Sequence, residues 1–137
     1  MKQKTYNYKT YDKCNQNRLK FHFFSESPDY DFTHTKTEGK NAWWLLTLPR
    51  VSIIREIRIY NRLSIPSRID GVKIWVGKGL TGGNYDGANN VGTVRFMTGK
   101  NPYIFPNLNL DGSSVQVQGG GSYVTLSEVQ VYSPTPG

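Results

Sequence analysis

Three side chains stand out as able to hold a ligand by hydrogen bonds. His34 lies in THTKTEGK, and Arg62 and Arg68 lie in YNRLSIPSR with Pro66 between them. Each arginine presents a rigid fork of N–H donors that is always charged and never accepts. A neutral histidine donates from one ring nitrogen and accepts at the other. Such a set suits a polyhydroxylated ligand, whose neighbouring oxygens both donate and accept. Taken singly, each residue has a plainer reading. His34 is then a surface residue in a Thr-rich loop, and the arginines are solvated or paired with a carboxylate such as Asp70. Tyr30 and Phe32, on either side of Asp31, are the nearest aromatic side chains to His34. They offer an apolar wall, or else form the inward face of an edge strand.

Catalysis is not expected from this inventory. The sequence has no Ser/His/Asp arrangement, no close carboxylate pair with an acid/base assignment, and no His/Cys cluster with metal-ligand spacing. Cys14 is the single cysteine, so no internal disulfide forms.

The elements that would position these residues are strands. Short β-branched and aromatic runs are separated by Gly, Asn, Asp and Pro, and no long segment has helical periodicity, a pattern that predicts an all-β sandwich or barrel. WWLLTL (43–48) is a nearly continuous apolar run, as in a strand buried on both faces, with Trp43 and Trp44 in the core. In IREIRIYN, Ile57 and Ile59 face one way and Glu56, Arg58 and Tyr60 the other. GVKIWVG sets Val72, Ile74 and Val76 against Lys73 and Trp75. SSVQVQ sends Val115 and Val117 inward and Gln116 and Gln118 to solvent. The glycine-rich stretch 77–92 is too long for a hairpin and reads as a mobile loop. In YVTLSEVQVY, Val124 and Leu126 have the opposite parity to Val129 and Val131. Both pairs face inward only if a bulge or bend falls near Ser127–Glu128.

At 137 residues the chain reads as one domain with room for a core, and a mean hydropathy of −0.55 suits a soluble protein. No apolar run approaches the ~20 residues of a membrane helix, and the N-terminus has no signal-peptide apolar region. The formal net charge is +7, and residues 1–20 hold six basic side chains against Asp12 alone. The reading is therefore a basic N-terminal arm over 1–20, partly packed or solvated, a sandwich over 21–132 and a proline-rich tail over 133–137. The arm can touch an anionic surface such as acidic lipid, sulfated glycan or nucleic acid. Nucleic acid is the least expected of these, because basic and aromatic residues do not interleave along a strand.

NAWWLLTL, VSIIREIRIYNR, SRIDGVKIWVG and YVTLSEVQVY, in that order, resemble the galactose-binding-like jelly roll of the discoidin or F5/8 type C superfamily. Within it the chain is most similar to the F-type lectins, or fucolectins. That family's motif is a histidine, then Arg-x-Asp, then a second Arg or Lys. Here 27 residues separate His34 from Arg62, Ser64 stands where the motif has its aspartate, and Arg68 follows in a loop one residue short. The resemblance implies a non-enzymatic, secreted or extracellular lectin. It would hold L-fucose or a related sugar through His34, Arg62 and Arg68, with Tyr30 and Phe32 against the sugar's methyl group. It also implies a structural Ca²⁺ held by Glu128 and the Ser127 carbonyl, with Asp12 the nearest N-terminal carboxylate; calcium takes six to eight hard oxygens. The ligands would be fucosylated glycans or glycoproteins. Weak single sites of this kind are commonly strengthened by multivalency, through a homo-oligomer or a tandem-domain parent. The competing reading is an interaction module of the same fold that meets a protein or an anionic membrane through the loop carrying Leu63 and Ile65.

Overall fold

The computed structural model describes the backbone of residues 5–7, 10–14, 18–24 and 33–134, and the side chains of 39–133. Eleven strands are present among them. They are β1 (Thr5–Asn7), β2 (Thr10–Cys14), β3 (Arg18–Phe24), β4 (Thr33–Glu38), β5 (Trp43–Ile54) and β6 (Glu56–Asn61). After these come β7 (Lys73–Gly77), β8 (Asn89–Thr93), β9 (Tyr103–Phe105), β10 (Leu110–Gln118) and β11 (Tyr123–Pro134). Short 3-10 turns occupy Gly39–Asn41 and Pro66–Ile69. One sheet runs β1-β5-β10-β7-β8 and the other β2-β3-β11-β6-β9, with β4 also paired to β11. All pairings are antiparallel except β1 with β5. This is the all-β sandwich expected from the alternation, with the jelly-roll form that the resemblance implied. Parts of the basic N-terminal stretch are strands of both sheets, and β11 continues through Ser133 to Pro134.

The core lies between the inner faces. Trp44, Leu46 and Leu48 of β5, Ile57 and Ile59 of β6, Ile74 and Val76 of β7, and Val115 and Val117 of β10 are all buried. β11 completes it with Val124, Leu126, Val129 and Val131, which all face inward because the β11–β6 register shifts between Leu126 and Glu128. The bulge falls where the parity change requires it. Burying each such side chain contributes roughly 1.5–3 kcal/mol, which fixes the register that places the loops.

Three expectations are corrected. Gln116 is buried (0% exposed) instead of facing water. Its Oε1 accepts from the Gly83 amide at 2.8 Å, and its Nε2 donates to the carbonyls of Asn84 and Thr81 at 3.0 and 3.3 Å. The 77–92 stretch is accordingly not a loose loop. The Gly79 and Leu80 amides donate to the hydroxyls of Ser113 and Ser114, both at 3.0 Å, and the stretch ends in β8. The third correction is Trp43, which is only partly buried. It lies under this cover, where Gly82 passes so close that any Cβ would run into its ring. Trp75, on the same outer face, donates from Nε1 to Gln118 Oε1 at 3.1 Å and packs 5.1 Å from Tyr85.

Candidate functional site

Arg62 and Arg68 bracket the connection from β6 to the 3-10 turn, and Asn61 shapes it. At the inward-facing end of β6, Asn61 donates from Nδ2 to the Pro66 carbonyl at 2.9 Å. Its backbone amide donates to Asn101 Oδ1 at 3.0 Å, and its carbonyl accepts from Ser127 Oγ at 3.1 Å. The connection is thereby drawn back against the strand end. Pro66, whose fixed φ suits the first position of a helical turn, opens the 3-10 segment. The residue before it, Ile65, is held at φ 49°, a left-handed conformation rare for a β-branched side chain.

Within this loop Arg62 is 8% exposed, and its Nε and Nη2 donate to Ser64 Oγ at 3.2 and 2.6 Å. A hydroxyl has two acceptor lone pairs, so one serine takes both N–H groups. Arg68 comes from the last turn of the 3-10 segment, its guanidinium 5.3 Å from the centre of the Tyr123 ring on β11. A cation over an aromatic face at this distance contributes about 0.5–2 kcal/mol and keeps the guanidinium plane oriented.

Strand register brings His34 to the same place. Thr33 of β4 and Asn61 of β6 both pair with Leu126 of β11, and His34 pairs with Thr125. Arg62 is the first residue beyond β6, next to Asn61 on the other side of β11. His34 thus pairs with Thr125 on one side of β11, and Arg62 follows the residue paired with Leu126 on the other. Tyr123, which carries Arg68, lies two residues further along the same face of β11. The backbone of His34 thus runs beside Thr125, and the Arg68 guanidinium lies by Tyr123, two residues away on β11. Tyr30 and Phe32 lie outside the described residues.

The proposed metal ligands do not assemble with Asp12. Glu128 is level with Phe24 on β3, whereas Asp12 on β2 is level with Lys20, which is level with Tyr132. Asp12 and Glu128 are therefore two strands and four residues apart, roughly 16 Å between Cα atoms. Calcium–oxygen distances of about 2.3–2.6 Å cannot close that gap with two carboxylate side chains. Among the described residues no three His, Cys, Asp or Glu side chains gather into a metal-ligand group. Ser127 and Glu128 occupy the bulge itself. The Glu128 carboxylate accepts a short hydrogen bond from Gln130 Nε2, and Tyr132 donates to Gln130 Oε1 at 2.8 Å. Arg58 extends the row, bound to Glu56 at 2.5 Å and 4.8 Å from the centre of the Tyr132 ring.

Thr125, Tyr123 and Asn61 were not among the residues picked from sequence. A signal for two of them exists. In IREIRIYN an asparagine takes the inward position after Ile57 and Ile59, and in YVTLSE a threonine takes the outward position between two core residues. A polar residue at a core position and a small β-branched residue on the face of the candidate site both call for an account. A separate open hollow of about 420 Å³, lined by Gly77, Lys78, Asp86, Gly87, Asn89 and Asp111, belongs to the other sheet.

With this geometry in place, the solved structures that the chain resembles can be stated. A fucolectin from the serum of striped bass (Morone saxatilis) matches with a TM-score of 0.66 at 27% identity, over 77% of this chain and 36% of that one. The lectin domain of lectinolysin, in complex with Lewis b antigen, matches at 0.57 and 20% identity, over 73% and 70%. A family 32 carbohydrate-binding module from Clostridium perfringens, in complex with galactose, matches at 0.56 and 16% identity, over 84% and 93%. No protein-family model and no curated protein matches the chain. The fold is the galactose-binding-like jelly roll. Its similarity to F-type lectin domains agrees with the resemblance carried by the sequence motifs. The chain spans about a third of the striped bass fucolectin's length.

Proposed function

We propose that this chain is a non-enzymatic carbohydrate-binding domain that holds L-fucose, or a fucosylated glycan, on the outer face of β11. His34, Arg62 and Arg68 supply the polar contacts. The observation that supports this reading is that β11 pairs His34 with Thr125 and Asn61, which precedes Arg62, with Leu126, while Arg68 lies by the Tyr123 ring two residues away. Guanidinium donor forks and a donor–acceptor imidazole match the neighbouring hydroxyls of a single sugar ring. The likeness to the striped bass fucolectin supports the choice of sugar. A secreted or extracellular location, and assembly into an oligomer or tandem array, go with this reading. Glu128 and the Ser127 carbonyl remain candidate oxygen ligands for Ca²⁺, without Asp12.

The deciding experiment is calorimetric titration of L-fucose, backed by a glycan array, on the wild type and on Arg68→Ala and His34→Ala. Loss of a charge-assisted hydrogen bond should weaken binding by about 10- to 100-fold for Arg68→Ala. No fucosylated hit for the wild type would reject the reading. A second reading has its own observation. Leu63 and Ile65 are 80% and 51% exposed between the two arginines, a form suited to meeting a protein or an anionic membrane. Binding to phosphatidylserine vesicles that falls steeply with salt, in place of sugar binding, would favour it.

A further inference from the structure

Thr125, the β11 partner of His34, holds a hydroxyl with no hydrogen-bond partner among the described residues. The residue is 2% exposed, and its Oγ1 is buried. Its chain neighbours Val124 and Leu126 face the core at 0% exposed, so Thr125 points to the opposite face of β11, the face shared with Tyr123. A hydroxyl buried without a partner is costly, and a valine of the same shape would avoid the cost. The position has no packing need for oxygen, yet it carries one at the candidate site.

We infer that Thr125 is a further ligand-recognising residue of this site, and that its hydroxyl gains its hydrogen bond from a hydroxyl of the bound sugar. The inference rests on the carbohydrate-binding reading above and adds a specificity-determining group to it. Because Oγ1 is closed to solvent, the side chains above it must move for a sugar hydroxyl to reach it. The buried hydroxyl then exchanges an unmade bond for a made one. A ligand with an apolar group over this position would leave Oγ1 unpaired, so Thr125 selects for an oxygen there.

The test is Thr125→Val with Thr125→Ser as the conservative partner. Both are measured for L-fucose affinity by calorimetry and for thermal midpoint without ligand. The inference expects Thr125→Val to keep or raise the midpoint while weakening L-fucose binding by roughly 3- to 10-fold, the effect of one hydrogen bond. Thr125→Ser, which keeps the hydroxyl, should bind within about twofold of the wild type. Unchanged affinity in Thr125→Val overturns the inference while leaving the lectin reading intact. A lower midpoint with weaker binding in both variants assigns Thr125 to packing, and also overturns it. A wild type that binds neither L-fucose nor any fucosylated glycan removes the lectin reading and this inference with it.

Discussion

Two guanidinium N–H groups of Arg62, at 3.2 and 2.6 Å, converge on the one hydroxyl oxygen of Ser64. Ser64 itself is exposed, so the pair orients the arginine from the solvent side. The serine stands where the fucolectin motif has an aspartate, and it still accepts both donors without adding charge.

Ser64→Ala removes that acceptor. L-fucose affinity should fall by roughly 3- to 10-fold while stability stays within about 0.5 kcal/mol, because the residue is exposed. Ser64→Asp restores a bidentate acceptor and should bind at least as well as the wild type. Titration calorimetry with thermal melts reads both effects, and equal affinity in all three proteins would dissociate Ser64 from the site.

Ile65 is held in a left-handed conformation that costs a β-branched residue about 1–3 kcal/mol. Ile65→Asn, a residue that tolerates this region, should raise stability by up to about 1 kcal/mol in urea melts. The same variant removes half of the exposed apolar pair, so undiminished binding to phosphatidylserine vesicles would count against the membrane reading.

Gln116 bonds three backbone groups of the cover over the outer sheet face. Gln116→Ala should cost about 2–4 kcal/mol and open residues 79–88 to proteolysis, while L-fucose affinity stays unchanged. A parallel loss of affinity would show that the two faces of the sandwich are coupled.

Tyr85 has a hydroxyl that is buried and unpartnered among the described residues, and burial raises its pKa to about 12. The folded value lies above the usual value of about 10, so the neutral phenol is the favoured form. The resulting stability is fully present below about pH 10 and is lost as pH rises towards 12. Tyr85→Phe should remove this alkaline loss and delete one late phenolate from an absorbance titration; an unchanged titration would refute the burial account.

If calcium stabilises the protein, Glu128→Gln should blunt the rise in melting temperature on adding Ca²⁺, and Asp12→Asn should not. The register places Asp12 too far along the sheet to share an ion with Glu128. A response abolished by Asp12→Asn alone would contradict that register.

What the sequence determined by itself was local. Ile57 and Ile59 alternate with charged neighbours because strand side chains have period two, and the parity change between Leu126 and Val129 locates the bulge at Ser127–Glu128. The histidine and two arginines were visible as types, and their spacing carried the resemblance. Tertiary structure decided which of them share a place. That His34 pairs with Thr125 while Arg62 follows the partner of Leu126 depends on β4 and β6 both pairing with β11, a register that no local pattern encodes. The same applies to Asp12, which the resemblance grouped with Glu128 as a metal ligand, although β3 lies between their strands. Gln116 reads as a solvent-facing residue in SSVQVQ, yet the 79–84 backbone folds over it and supplies three partners. Alternation reports which face a side chain is on, whereas burial depends on what the rest of the chain lays across that face.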